Sequence, residues 1–275
     1  MNKKINYIIK NDPFLFFGLI ILSFLFILFV CSFFIVDTNS QNLSRSLLPM
    51  GSQNHIFGTD HLGRDILNRI IVGSQYSISI GLSASLLSLL IGVLFGTLSG
   101  FYSGLIDNII MRFTDIVMSF PTLLLIIAIS ISLPNNIISI IIVIGISSWT
   151  SVARLVRSQI IMIKSKPYFE SSQALGFSNT RIIFKHLLPN CMGPIVIFFT
   201  LGISNAIMAE SSLAFLGMGI QSPTPTWGGM INDGKDFLRI AHHLSTIPGA
   251  FICITVLAFN LVGESLRDYL DVKIK

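Results

Sequence analysis

Residues 167–189 read PYFESSQALGFSNTRIIFKHLLP, a polar island between long uncharged runs, and the rest of the chain is organised around it. Glu170 to Leu175 has the make-up of a short helix. Gly176 follows where a helix ends in a left-handed cap, a conformation glycine adopts without a Cβ penalty. Ser178 is a good N-cap for a second short helix through Thr180, Arg181, Ile182, Ile183, Phe184 and Lys185. Pro189 has no N–H to donate, so it marks a break or the first turn of the next element. Loops that only connect are usually shorter and lack two capped helices. The stretch therefore predicts a folded elbow, not a tether.

Outward from the elbow the chain is apolar. Of 275 residues, 52% are hydrophobic and 11% charged, against about 25% charged in soluble domains. This is an all-α, multi-pass membrane protein, and six spans can be placed. Phe14 to Val36 is an uncharged run of 23 residues, enough to cross a ~30 Å hydrocarbon core. No small-residue cleavage site follows it, so it is read as a retained span. The others cover about Tyr76–Phe101, the segment after Asp107 to near Leu133, Ile137–Ala153, Cys191–Gly217 and Thr246–Val262. Residues 66–71 are amphipathic, with Ile66, Leu67, Ile70 and Ile71 on one face, and predict an interfacial helix leading into the second span. Pro121 should kink the third span. Arg112 and Asp115, three apart, are placed to pair. The organisation expected is an N-terminal span and outer loop over 1–75, a core over 76–265 containing the elbow region 158–190, and a tail over 266–275.

Charge orients the bundle. With six spans and both ends on one side, thirteen Lys and Arg fall on the elbow side and five (Arg45, Arg64, Arg69, Lys235, Arg239) on the other. The positive-inside rule then puts both termini and the elbow in the cytoplasm. The net charge of +5 is thereby explained by topology and gives no reason to invoke nucleic acid.

Two features inside the spans stand out. Ser88, Gly92, Gly96, Gly100 and Gly104 recur every four residues, after an earlier series of Ser77, Gly81 and Ser85. Small residues four apart share a helix face and admit a neighbouring backbone, so a closely packed helix is expected against Gly92, Gly96, Gly100 and Gly104. A glycine-lined path for substrate is the competing explanation. In the fifth span, Asn205 and Glu210 are polar groups at a depth where lipid tolerates few, which marks them for a pathway, a gate or structural hydrogen bonding.

Enzymatic and metal signatures do not occur. The sequence has no Gly-x-x-x-x-Gly-Lys-Ser/Thr loop, no His-Glu-x-x-His, no Cys-x-x-Cys and no Gly-x-Ser-x-Gly, so no catalytic or metal-binding residue is expected. Cys31, Cys191 and Cys253 lie in or beside apolar runs and read as packing residues. The adjacent His242 and His243 would diverge by about 100° on a helix, awkward for a shared ion.

The elbow resembles the "EAA" loop in membrane subunits of bacterial binding-protein-dependent ABC importers, through Glu170, Ser171, Ser172, Gly176, Leu188 and Pro189. Serines replace the usual alanines, and His186 stands where an aliphatic residue is more usual. Two more stretches are similar to the dipeptide, oligopeptide and nickel permease branch: Gly58, Thr59, Asp60, Gly63, Arg64 and Asp65, and Gly217, Gly219, Gln221, Pro223, Pro225, Trp227 and Gly228. The resemblance implies a non-enzymatic permease of the bacterial inner membrane, built as one N-terminal span plus a five-helix type I importer core. It implies alternating access with a second, homologous permease, two cytoplasmic ATPase subunits that carry ATP and Mg, and an extracytoplasmic binding protein. Glu170, Ser171, Ser172, Ala174, Leu175, Gly176, Arg181, His186, Leu188 and Pro189 are then the ATPase-coupling residues, with Ile182, Ile183, Phe184 and Leu187 anchoring the elbow under the bundle. Di- or oligopeptide is the first expectation for cargo and nickel or a metal–metallophore complex the second; an ion-coupled secondary transporter is a remote third reading.

Overall fold

Asp12 accepts from the amides of Phe14 (3.0 Å) and Leu15 (3.1 Å), and Pro13 needs no partner for its missing N–H, so the first apolar run starts as helix α1, Pro13–Cys31. The same logic opens the two longest elements of the middle of the chain. Asp65 caps α2, Ile66–Tyr102, by accepting from Asn68 N (2.8 Å), and Asn136 caps α5, Ile137–Lys164, by accepting from Ser139 N (2.8 Å). Between them lie α3, Gly104–Met118, and α4, Thr122–Ser130. The chain continues as α6, Pro167–Ala174; α7, Asn179–Ile182; a π turn, Ile183–Leu187; α8, Leu188–Phe215; α9, Trp227–Gly234; and α10, His243–Val272. This computed structural model describes residues 12–35, 38–52 and 55–272. Expectations resting on Lys3, Lys4, Lys10, Val36, Asp37, Lys273 and Lys275 fall outside them.

The described residues contain no strand, only the isolated bridges Ser52–His55 and Thr59–Asp65. Five helical segments are long and apolar enough to cross a membrane, and six if α3 and α4 count as one span. That pair is bent by 86° at Ser119–Pro121, so Pro121 does more than kink the third span: it breaks it. Pro121 itself is extended (ψ 125°), which removes it from either helix. The expected interfacial helix is also absorbed. Residues 66–71 are the opening turns of α2, and Ile66 and Ile70 are buried against protein, not lipid headgroups. No residue between 66 and 76 interrupts the helix; Gly73 is retained because the Trp227 ring lies against it, 3.1 Å from where a Cβ would stand.

Helix α2 is the axis of the bundle. A Cβ on Gly92 would stand 2.5 Å from Val152 Cβ and 2.8 Å from Trp149 O, and one on Gly96 2.6 Å from Ala153 O; at Gly100 the nearest atoms are on Ile160, at 3.0 Å. All these neighbours belong to α5. The earlier series turns to α8: Gly81 lies against Ile207, and Ser85 Oγ donates to Phe199 O (3.1 Å). Gly104 departs from the expected packing series. It follows the end of α2, has φ +60°, and a Cβ there would meet no atom within 4 Å. The four-residue spacing runs past the end of the helix that gave it meaning.

Helix α9 is tied to α2 by Trp227, fully buried, whose indole N–H donates to Ile70 O (3.0 Å) and whose amide donates to Ser77 Oγ (3.1 Å). Most large side chains of α1 remain exposed; it touches α10 at Gly18, where Val262 and Leu261 close in.

Candidate functional site

The elbow forms from its own local chemistry. Pro167 opens α6, Ser172 Oγ donates to Phe169 O (2.6 Å), and Ser171 Oγ donates to Pro167 O (3.0 Å). Gly176, at φ +73°, lets its amide reach Gln173 O (2.9 Å) while Phe177 N reaches Ser172 O (3.3 Å). Ser178 then accepts from Arg181 N (3.4 Å). No heavy atom lies within 4 Å of a Cβ at Gly176, so glycine is required there by backbone conformation and not by crowding. Leu188 is half-buried and Pro189 exposed in the first turn of α8. The second elbow helix differs from expectation. It does not stop at Lys185; a π turn carries it into α8, absorbing the residue that Pro189 would otherwise make a break. Asn190 Nδ2 donates to His186 O (2.6 Å), satisfying a carbonyl beside that irregular turn.

A small apolar cluster seats the elbow. Phe169, Ile182, Leu187 and Cys191 are buried with Val156, Ile160 and Ile163 of α5, and Ile183 packs partly against them. Phe184, expected among the anchors, is 65% exposed; the π turn rotates it off the buried face. Arg181 lies 4.1 Å over the Phe177 ring, which is parallel to His186 at 5.8 Å (12°). His186 thus extends a stack, a use an aliphatic side chain could not fill. Glu170, Ser171, Ala174 and Leu175 face outward, and Ser172 faces the bundle. The Tyr168 hydroxyl is held above its ordinary range, first by desolvation and then by Cys191.

Among α2, the α3–α4 break, α5 and α8 lies a cavity of about 470 Å³. Ser85, Ser88, Thr122, Ser147, Ser148, Ser151 and Asn205 bring polar groups to it, with Val117, Met118 and Leu125 among its apolar walls. Asn205 lines this space; Glu210 does not. Glu210, on α8, is fully buried toward the start of α9, with Ser211 Oγ 3.4 Å away and the Thr226 hydroxyl beside it. Toward the other end, His243 is buried and His242 exposed, their rings 6.1 Å apart and perpendicular. Among the described residues no group of three or more His, Cys, Asp or Glu is placed to hold a metal.

Several charged contacts have no counterpart in the sequence reading. Asp115 pairs with Arg154 of α5 (2.5 Å), not with Arg112. Arg157 makes a two-pronged bond to Asp107 (2.6 and 2.6 Å), and Lys164 Nζ reaches the end of α2. Arg154, Arg157 and Lys164 stand three and then seven residues apart, a spacing that puts them on one face of α5. Near the opposite end, Arg64 and Arg69 are both buried around Asp60 and Asp233.

Long apolar helices around a hydroxyl-lined cavity, with a seated polar elbow at one end, define a membrane transport subunit. Residues 92–275 match the family described as binding-protein-dependent transport system inner membrane component, and the chain belongs to it: a multi-pass permease of the bacterial inner membrane. Over 257 residues it is 42% identical to the oligopeptide transport system permease protein OppC of Bacillus subtilis (strain 168), covering 94% of this chain and 84% of that one. It is 47% identical over 224 residues to the glutathione transport system permease protein GsiD of Salmonella paratyphi A, covering 82% and 74%. In fold it aligns with the methionine ABC transporter MetNI in inward-facing conformations (TM-score 0.60, 16% identity, 74% of this chain and 97% of that chain). An amino acid ABC transporter with histidines also aligns (TM-score 0.57, 12% identity, 74% and 94%).

Proposed function

We propose that this permease imports di- or oligopeptides by alternating access, driven by ATP hydrolysis in separate subunits. The observation that carries the reading is the elbow: a folded, outward-facing element packed directly on α5 and α8, two helices that line the cavity. Two ATPase subunits, holding ATP and Mg, press on this elbow and on that of a second, homologous permease. A binding protein on the opposite side delivers cargo. The excess of Lys and Arg on the elbow side supports a cytoplasmic elbow and cytoplasmic termini. Peptide is favoured because the relatives are named for oligopeptide and glutathione transport and because hydroxyl and amide groups line the cavity. Those groups can exchange hydrogen bonds with a peptide backbone, whereas nickel calls for imidazole, thiolate or carboxylate ligands.

The test is reconstitution of the full transporter in proteoliposomes with its binding protein. Uptake of a labelled peptide should require ATP and survive collapse of the proton gradient; uptake that follows the proton gradient without ATP overturns the proposal. A cysteine at Ser178 should react with an impermeant maleimide only from the cytoplasmic face. In the same system Gly176→Val should insert and assemble, since its side chain meets open space, yet strain the left-handed turn by about 1–2 kcal/mol. Transport per ATP should fall; wild-type coupling in that variant counts against the elbow's assigned role.

A further inference from the structure

The connection from the elbow to the cavity wall is visible at the corner between α2 and α3. Here Ser103 (φ +54°) and Gly104 (φ +60°) break one helix from the next. A non-glycine residue at such an angle persists only where its surroundings hold it. Lys164 does so. Its Nζ reaches Phe101 O (2.8 Å), Gly100 O (3.2 Å) and Ser103 Oγ (3.0 Å), capping the last carbonyls of α2 from another helix. Seven residues earlier on α5, Arg157 grips Asp107 in the first turn of α3, and Ser99 Oγ bonds the same carboxylate. Two fasteners on one face of α5 therefore hold the corner.

What lies at each end makes the arrangement mechanical. Lys164 is the last residue of α5, and α6 of the elbow begins three residues later. In the other direction α3 leads to the 86° break, whose flanks Met118 and Thr122 line the cavity. Along the rest of α3, Leu105, Ile109 and Ile116 are 60–76% exposed, and its further ties to α5 are the exposed Asp115–Arg154 pair (2.5 Å) and Phe113 stacked on Trp149 (6.1 Å). The glycine seam leaves α2 and α5 no slack, so a displacement of α5 carries the corner with it.

We propose that Arg157 and Lys164 are positioning residues that pass elbow movement through the α2–α3 corner to the broken α3–α4 span, which is the moving wall of the cavity. This rests on the ATP-driven reading above. A push on the elbow shifts the end of α5; the Arg157–Asp107 pair and the Lys164 cap pull α3; and the Ser119–Pro121 joint converts that pull into a change of cavity shape.

The experiment uses the full reconstituted transporter with Arg157→Gln, Lys164→Met and the exchange Asp107→Arg/Arg157→Asp, reading ATP hydrolysis and peptide uptake together. Spin labels at Met118 and Ser151, which line the cavity from α3 and α5, report the distance with and without vanadate-trapped nucleotide. In Arg157→Gln and Lys164→Met, uptake per ATP should fall about tenfold, within the usual range of allosteric coupling, while hydrolysis stays within about twofold. The nucleotide-dependent distance change should shrink with uptake, and the charge exchange should restore both. Wild-type uptake per ATP in both single variants overturns the proposal, as does parallel loss of hydrolysis and uptake with the distance change intact. If the wild-type transporter itself fails to couple ATP to uptake, the functional reading fails instead, so the two failures are distinguishable.

Discussion

Gly96→Leu should abolish a stable permease. At Gly96 a Cβ would meet Ala153 O at 2.6 Å, Val156 Cβ at 2.8 Å and Ala153 Cα at 3.1 Å. Two of those three atoms are backbone, so no rotamer change relieves the clash and the α2 and α5 axes must part. Forcing extra methylenes into a packed interior typically costs about 1–3 kcal/mol, and a contact against main chain belongs at the top of that range or beyond. Separation also undoes neighbouring contacts, because Val152 at Gly92 and Ile160 at Gly100 belong to the same seam. Even Gly96→Ala should lower the melting temperature of the purified complex measurably. Gly100→Ala should do less, with its nearest contacts at 3.0 Å to the Ile160 side chain. Gly104→Ala should meet nothing and lose only the ~1 kcal/mol of a left-handed residue. The order Gly96, Gly100, Gly104 is the measurable content. A Gly96→Ala subunit that melts and transports like wild type would show that the seam opens freely, contrary to close packing.

That ordering also marks what can be read from residues alone. The four-residue stripe announces a close helix contact, because only a tightly packed neighbour gives glycine an advantage in lipid. It does not announce where the helix stops, and Gly104 keeps the spacing of residues whose environment it does not share. Gly176 and Ser178 are legible for the opposite reason: a left-handed cap and an N-cap are settled within a few residues, so sequence carries the whole cause. The π turn at Ile183–Leu187 is not, since it reconciles a local break with tertiary packing of Ile182 and Leu187. Asp115 shows the same limit. Arg112 is near in sequence, but Arg154 on α5 is the partner that packing brings within 2.5 Å. The cavity is marked in the sequence by Asn205, whereas its serines come from helices whose faces no periodicity could register against one another.

Arg64→Met should be the most damaging single change outside the seam. Arg64 and Asp60 are 2% and 6% exposed, joined Nε to Oδ2 at 2.6 Å, and Asp60 Oδ1 accepts the amides of Leu62 and Arg64 (both 2.9 Å). Arg64 also reaches Ser222 Oγ (3.3 Å) and Asp233 Oδ2 (3.4 Å), so one side chain ties the loop before α2, the α8–α9 connection and α9 together. Arg69 stands behind it, 3.7 Å from Asp60 and 3.8 Å from Asp233, too far to replace its hydrogen bonds. With both arginines the four charges cancel; without Arg64 a buried carboxylate is left short of a partner. Breaking a buried pair from one side costs about 3–5 kcal/mol, because the remaining charge stays in low dielectric. The melting temperature of the purified complex should fall steeply, and proteolysis within residues 42–65 should accelerate. The double variant Arg64→Met/Asp60→Leu restores charge balance, with Arg69 opposite Asp233. It should therefore be more stable than Arg64→Met alone, although the two amides lose their acceptor. A double variant less stable than the single one would mean that Asp60 serves this end of the bundle as a backbone cap more than as a counter-ion.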